Sequence, residues 1–404
     1  MNIVYVTSEY INPVSLGVVD GGLANYLYKI TNEMHRLGNS VTVIVLDNVN
    51  KTIFYNDIKV IFIKNRPRNS LFTRIKHLFL SKKTRAKIKK EYVWNAISKT
   101  IRREHSKHKI DIVQYASYLA TGKNPEAKIP SCVRISSYEK TQQKYYGISN
   151  PEMLKNEIEQ FKKTRFLFGP SRHIANYIKK DLELTNDIEI IESPYPEDIE
   201  NENHWNFETY KELKQQIGNS RYILFFGSIG KLKGGEQIAG CVYDWLKKHK
   251  DTYLVLVGKS ITINNIDCAS EIQKAAKEYA NHVIRFPSQS HDKLYPIIKN
   301  SYGVLMPSMI ENFSNACVEA MRLRKIVIGT QDNFSQLITD GKNGFLCQVG
   351  DSKSLASCIE RLLELSPEQK EKMEEKAFER TNTLSTNNIC KKLLDYYNQV
   401  IKNW

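Results

Sequence analysis

Short runs of β-branched and aromatic residues, each followed by a polar turn and a helical stretch, recur along most of this chain, and the series starts twice. That alternation confines the fold to βαβ units around parallel sheets, because parallel neighbours must be joined by a crossover segment. The first series predicts strands over residues 2–7, 40–46, 59–63, 112–115, 132–136 and 166–168, with a helix over 22–37. A polar, acidic stretch over 192–207, containing SPYPEDIENENH, breaks the pattern. Strands are predicted again over 222–226, 253–257, 283–286, 303–306 and 326–329. The expected architecture is α/β, with two Rossmann-like, doubly wound parallel-sheet domains over 1–200 and 201–385. Over 386–404, Ile389, Leu393, Leu394, Tyr397 and Ile401 recur at helical spacing. So short a helix is marginal alone, and it is expected to pack back on the first domain.

The 404 residues are 41% apolar and 10% aromatic, enough for two cores and too much for a disordered tail protein. No run reaches the roughly 18 apolar residues of a membrane span, and MNIVYVTSEY lacks a secretory pattern. A soluble, unprocessed, cytoplasmic protein is expected. Its seven cysteines, Cys132, Cys241, Cys268, Cys317, Cys347, Cys358 and Cys390, form no CxxC pair, so neither a disulfide framework nor a zinc site is indicated. The nine histidines, His105 and His108 among them, show no metal-ligand spacing, and no metal is expected.

In open parallel sheets ligands bind beyond the carboxyl ends of strands, which directs attention to four loops. After the first strand, Asp20, Gly21 and Gly22 precede a helix; paired glycines let backbone amides approach an anion, although a tight turn would use them too. Gly227 to Gly235, GSIGKLKGG, follows the strand YILFF and sets Lys231 and Lys233 in a glycine-rich turn where an ammonium can neutralise a diphosphate. It lacks the Walker order, which argues against a nucleoside triphosphatase. Met306 to Met321, MPSMIENFSNACVEAM, holds Glu311 in a loop, Ser314 as a helix N-cap and Glu319 within that helix. Both carboxylates lie near the amides of Phe313, Ser314 and Asn315, an arrangement suited to a ligand combining hydroxyls with phosphate. Asp340 to Leu346, DGKNGFL, reads as a structural turn.

Taken in order, the GG turn, the glycine and lysine loop, the E-x7-E pair and the late DGxxGxL turn resemble retaining glycosyltransferases of the GT-B fold, family 4 especially. The resemblance implies two domains facing a cleft, with a nucleotide sugar held mostly by the second. It assigns Glu319 to the ribose hydroxyls, Glu311 to the donor sugar, and the amides of Phe313, Ser314 and Asn315, beside Asn312, to sugar and diphosphate. Lys233 matches the lysine that neutralises the diphosphate, and Gly21 and Gly22 would approach the phosphates. The implied catalytic residues are Glu311 and Lys233, and no metal or other cofactor is implied.

Two positions depart from the family pattern. The loop usually reads G-R-L-x3-K-G, and Ser228 stands at the arginine, leaving one of two phosphate cations unless Lys231 substitutes. The run SCVRISSYE, where a family histidine often lies near the reacting carbon, has none; Arg134 and Ser136 are the acceptor-side candidates there. Activity is expected to persist, because the phosphate-side elements are present.

The formal charge of +15 is local: residues 64–109 hold 16 basic side chains against two acidic ones, Glu91 and Glu104. Within NSLFTRIKHLFLSKKTRAKIKK, Leu71, Phe72, Ile75, Leu78, Phe79 and Leu80 alternate with cations, the pattern of a helix lying against an anionic membrane surface. The competing reading packs those apolar residues in the first domain and leaves the lysines solvated. No nucleic-acid motif accompanies the stretch, and no nucleic-acid partner is expected. The combined expectation is a hexosyl-type glycosyltransferase, peripheral to the inner membrane face, serving a glycan or lipid-linked acceptor in bacterial surface polysaccharide synthesis. The alternatives are a nucleotide-sugar epimerase of related fold, or a degenerate transferase acting as a membrane or nucleic-acid binding adaptor.

Overall fold

The computed structural model describes residues 1–17, 21–65, 82–146, 150–263 and 266–404. Two compact units emerge, one formed by Met1–Glu192 with Thr386–Trp404 and the other by Ser193–Ser385. Residues 193–200, grouped with the first domain on sequence, belong to the second unit. Tyr195 donates its N–H to the Leu384 carbonyl at 3.1 Å, Arg322 pairs with Glu200, and Ile199 is buried.

The first unit carries β1 (Asn2–Thr7), β2 (Ser40–Asp47), β3 (Lys51–Tyr55), β4 (Ile58–Lys64), β5 (Ile112–Ala116), β6 (Ser131–Arg134), β7 (Leu167–Gly169) and β8 (Ile188–Ile190). Their order is β3-β4-β2-β1-β5-β6-β7-β8, and every neighbouring pair is parallel except β3 with β4. Val4 on β1 stands opposite Thr42 on β2 and Val113 on β5. The chain winds outward from β1 and returns to β5, so the topological switch falls beside β1. β1 and β2 are buried almost throughout, as strands covered on both faces must be.

Helix Gly22–Arg36 buries Ala24, Leu27, Ile30 and Met34, a stripe at helical spacing. Helix Lys82–Lys107 buries Trp94, Ile97 and Ile101. The tail helix Thr386–Lys402 docks on this unit. Tyr397 donates its hydroxyl to Gln114 Oε1 at 2.5 Å, and Asn387 donates to Glu33 Oε1 at 2.8 Å.

The second unit carries β9 (Arg221–Phe226), β10 (Thr252–Val257), β11 (Thr262–Ile263), β12 (Ile266–Asp267), β13 (Val283–Phe286), β14 (Gly303–Met306), β15 (Val327–Thr330) and β16 (Phe345–Cys347). Six of them form a parallel sheet in the order β13-β10-β9-β14-β15-β16, and β11 with β12 makes a short antiparallel ribbon. Trp245, Ile223, Leu254, Ile359 and Leu362 lie at the centre of its core.

Five of the described strands, β3, β8, β11, β12 and β16, escape the sequence pattern. β3 is a largely exposed edge strand whose two-residue turn to β4, Asn56–Asp57, has positive φ at both positions, the geometry of a tight hairpin. β8 is only three residues long. β16 begins inside the run read as a turn: Asn343 closes that turn by accepting the Thr339 amide at 2.7 Å, and Phe345 then enters the sheet. β6 stops at Arg134, so Ser136 lies beyond the strand expected to contain it.

Candidate functional site

Within the second unit the chain runs from β9 outward through β10 to β13, then returns to β14 on the other side of β9. The loops leaving the carboxyl ends of β9 and β14 therefore meet at the topological switch, where ligands bind in such sheets. Glycine makes the approach possible. Gly234 has φ of 85°, and a Cβ there would stand 2.1 Å from the Pro307 carbonyl oxygen, so the two backbones touch where any side chain would intrude. Met309 donates its amide to the Leu232 carbonyl at 2.8 Å, tying the loops together.

Across this seam the Lys233 Nζ lies 2.5 Å from Glu311 Oε2; the lysine side chain is 41% exposed and the carboxylate is mostly covered. The Glu311 amide donates to Asn333 Oδ1 at 3.1 Å. Asn333 in turn donates to the Ser308 carbonyl at 3.0 Å and to Thr330 Oγ1 at 2.9 Å, and Thr330 donates to the same carbonyl at 2.7 Å. This buried network fixes the loop that carries Glu311. Neither Thr330 nor Asn333 belongs to a motif; the only signal is position, at and just after the end of β15.

Ser314 caps helix Asn315–Arg322 by accepting the Cys317 amide at 3.2 Å. Among the described residues, no hydrogen bond engages the amides of Phe313, Ser314 or Asn315, leaving the positive end of the helix available to an anion. Glu319 lies on that helix and is 7% exposed. Burial raises the pKa of the nearby Tyr295 hydroxyl, and the charge of Glu319 raises it further. Because Glu311 precedes the helix, helical spacing does not govern its relation to Glu319. Ser228 is exposed in the first loop, and Lys231 pairs with Glu236 at 3.4 Å, not with the Lys233 and Glu311 pair.

In the first unit Gly21 has φ of 150°, and a Cβ there would come 2.8 Å from Glu9 Oε2; Gly22 opens the helix, and Asp20 lies outside the described residues. Burial raises the Glu9 pKa. Tyr118, after β5, is raised by burial and then by the charges of Glu9 and Glu139. Two ionisable groups thus gather at this unit's switch point. Their sequence signal is slight, a carboxylate two residues past β1 and a tyrosine two past β5. Arg134 is 5% exposed, with its guanidinium carbon 3.6 Å from the Tyr26 ring centroid, so it packs inside the unit. The Ser136 amide donates to Ser117 Oγ at 2.9 Å. Among the described residues no three His, Cys, Asp or Glu side chains converge as metal ligands.

Residues 206–380 match the family model for glycosyl transferases group 1. Among curated relatives, an uncharacterized glycosyltransferase of Methanocaldococcus jannaschii is 24% identical over 208 residues, 50% of each chain. The chain spans about half the length of the curated relatives it matches. Sucrose-phosphate synthase from Thermosynechococcus elongatus has a similar structure, with a TM-score of 0.74 at 14% identity and all of both chains covered. HepE of Anabaena, solved in complex with UDP, gives 0.70 at 15% identity, with 99% of this chain and 100% of that one covered. These likenesses show the fold, which is GT-B.

Proposed function

We propose that this chain, whose residues 206–380 match the family model for glycosyl transferases group 1, moves a hexosyl-type sugar from a nucleoside diphosphate to a glycan or lipid-linked glycan, with retention at the anomeric carbon. The observation that carries the reading is the meeting of Lys233, Glu311 and the Ser314 helix start at one sheet's switch point. As the bond to the anomeric carbon breaks, negative charge builds on the departing diphosphate. A fixed ammonium and the amides of Phe313 to Asn315 stabilise that charge more in the transition state than in the ground state. Lys233 is available for this role because its side chain is 41% exposed, so its ammonium can add a charge-assisted contact with phosphate beside its pairing with Glu311. Glu319 accepts from the ribose hydroxyls, and Glu311 faces the sugar. Ser228, Lys231 and Asn312 complete the donor set within the second unit, while Arg134 and Ser136 stay on the acceptor side, Arg134 through packing. No metal enters this reading.

The basic stretch 64–109 supports an anionic membrane surface as the working location and a surface polysaccharide as the product. The test is a panel of nucleotide sugars, UDP-sugars first, incubated with full-length protein and a lipid-extract acceptor. Transfer in wild type that is abolished in Glu311→Ala or Glu319→Ala supports the reading. Wild-type rates in both variants would sink the site assignment. A new nucleotide sugar formed without acceptor would mean an epimerase, and tight nucleotide binding with no transfer would mean a degenerate scaffold.

A further inference from the structure

At the opposite edge of the second unit, the amino ends of β9, β14 and β15 border a cavity of about 460 Å³. Its walls include Arg221, Lys299, Lys325, Lys370 and the ring of Tyr302. The volume suits a small molecule, and the concentration of cations defines its charge. Lys325 is 8% exposed, an unusual position for an ammonium. Its Nζ lies 2.9 Å from Glu374 Oε1, and the Nζ of Lys370 lies 2.5 Å from the same oxygen, so two cations share one carboxylate oxygen. Arg221 pairs with the exposed Asp251 at 3.3 Å. Among the described residues no carboxylate pairs with Lys299. The Arg221 guanidinium carbon and the Lys370 Nζ lie 5.3 and 5.0 Å from the Tyr302 ring centroid.

Four cations against two carboxylates leave the cavity electropositive. Burial holds Lys325 below the ordinary lysine range; Glu374 opposes that, and the charges of Lys370 and Lys299 reinforce it. A structural ion-pair network would need only enough cations to match its carboxylates, and this one has more. We propose that the cavity binds a small, soluble phosphoryl-bearing anion, its oxygens held by Lys299, Lys325 and Lys370 and any sugar ring laid against Tyr302. A phosphate dianion takes several charge-assisted hydrogen bonds at once and would balance the excess. The inference does not depend on the donor-site reading, since it rests on different loops.

The test uses full-length protein and calorimetric titration with inorganic pyrophosphate and, separately, with glucose 1-phosphate. In Lys233→Ala, where the donor loops are weakened, one equivalent of pyrophosphate is expected to bind. Adding Lys299→Gln and Lys370→Gln is expected to weaken that binding at least tenfold, or about 1.4 kcal/mol. Lys325 keeps Glu374 in that variant, and an unchanged melting temperature confirms folding. A Tyr302→Ala loss confined to glucose 1-phosphate identifies a sugar phosphate as the ligand; an unchanged preference for pyrophosphate identifies the inorganic anion. Binding that survives the lysine substitutions, or no binding of either probe at millimolar concentration, would overturn the proposal.

Discussion

Glu157 sits on the helix Pro151–Lys163 with one carboxylate oxygen accepting the Glu139 amide at 2.7 Å and the other without a partner among the described residues. Burial pushes its pKa up to about 8, and the charge of Glu139 adds to the rise. The folded chain therefore holds a proton that the unfolded chain releases near pH 4.5. This contribution to stability is present in full below that pH and is lost as pH rises through about 8. The unfolding free energy of the wild type, read from urea titrations, should fall between acidic and alkaline buffer by roughly 3–5 kcal/mol, because each tenfold change in proton affinity is worth about 1.4 kcal/mol. Glu157→Gln should flatten that dependence, and a wild-type slope retained in the variant would exclude Glu157 as the source. At the donor loops Lys233→Ala should lower kcat/KM by roughly 100-fold. Lys233→Arg should recover part of it, because charge is kept while the point contact becomes a fork. Lys233 and Glu311 stand out in sequence because glycine, proline and charge cluster in their loops. Thr330 and Asn333 do not, because their role arises only when the end of β15 is brought against the loop after β14.

Loop geometry carries more of the site than any one charge. Gly234 has positive φ and no room for a methyl group against Pro307, so Gly234→Ala must move one loop off the other. A loss of about 1–3 kcal/mol is expected, read as a lower urea midpoint, together with weaker nucleotide binding. If binding is weakened with the midpoint unchanged, the glycine serves the ligand alone. The glycine-rich loop was legible because its spacing follows a long apolar strand. β3 and β16 were not, because an edge strand need not alternate and a three-residue strand has no period. The tail helix shows the converse, since its apolar stripe predicts docking and its partners come from far along the chain. Tyr397 and Gln114 are both buried, and Tyr397→Phe should cost about 1–2 kcal/mol by leaving the amide oxygen without its donor. Replacing Gln114 with Leu as well should restore part of that loss; an additive penalty would mean that packing, not the hydrogen bond, is what Tyr397 supplies.

On the scale of the whole molecule, the two-unit plan follows from the repeated strand and helix series, and the boundary residues 193–200 were misassigned because only tertiary contacts tie them to the second unit. The charge distribution leads further. Some cations of the 64–109 stretch are paired: Arg103 and Lys107 converge on Glu104, which Lys59 from outside the stretch also reaches, and Arg102 reaches Glu126 at 3.6 Å. The apolar run from Leu71 to Leu80 lies outside the described residues, so the choice between packing and membrane contact rests on charge. Attraction to anionic lipid is worth about 1 kcal/mol per lysine or arginine near the surface and fades within a Debye length. Full-length protein should therefore sediment with vesicles containing phosphatidylglycerol at low salt and be released at about 0.5 M salt, where screening is nearly complete. Replacing Lys82, Lys83, Lys87, Lys89 and Lys90 with glutamine should weaken vesicle binding without lowering nucleotide-sugar binding. Equal sedimentation with neutral vesicles at high salt would show apolar insertion without an electrostatic address. No sedimentation at low salt would leave the basic stretch as a solvated face of the first unit.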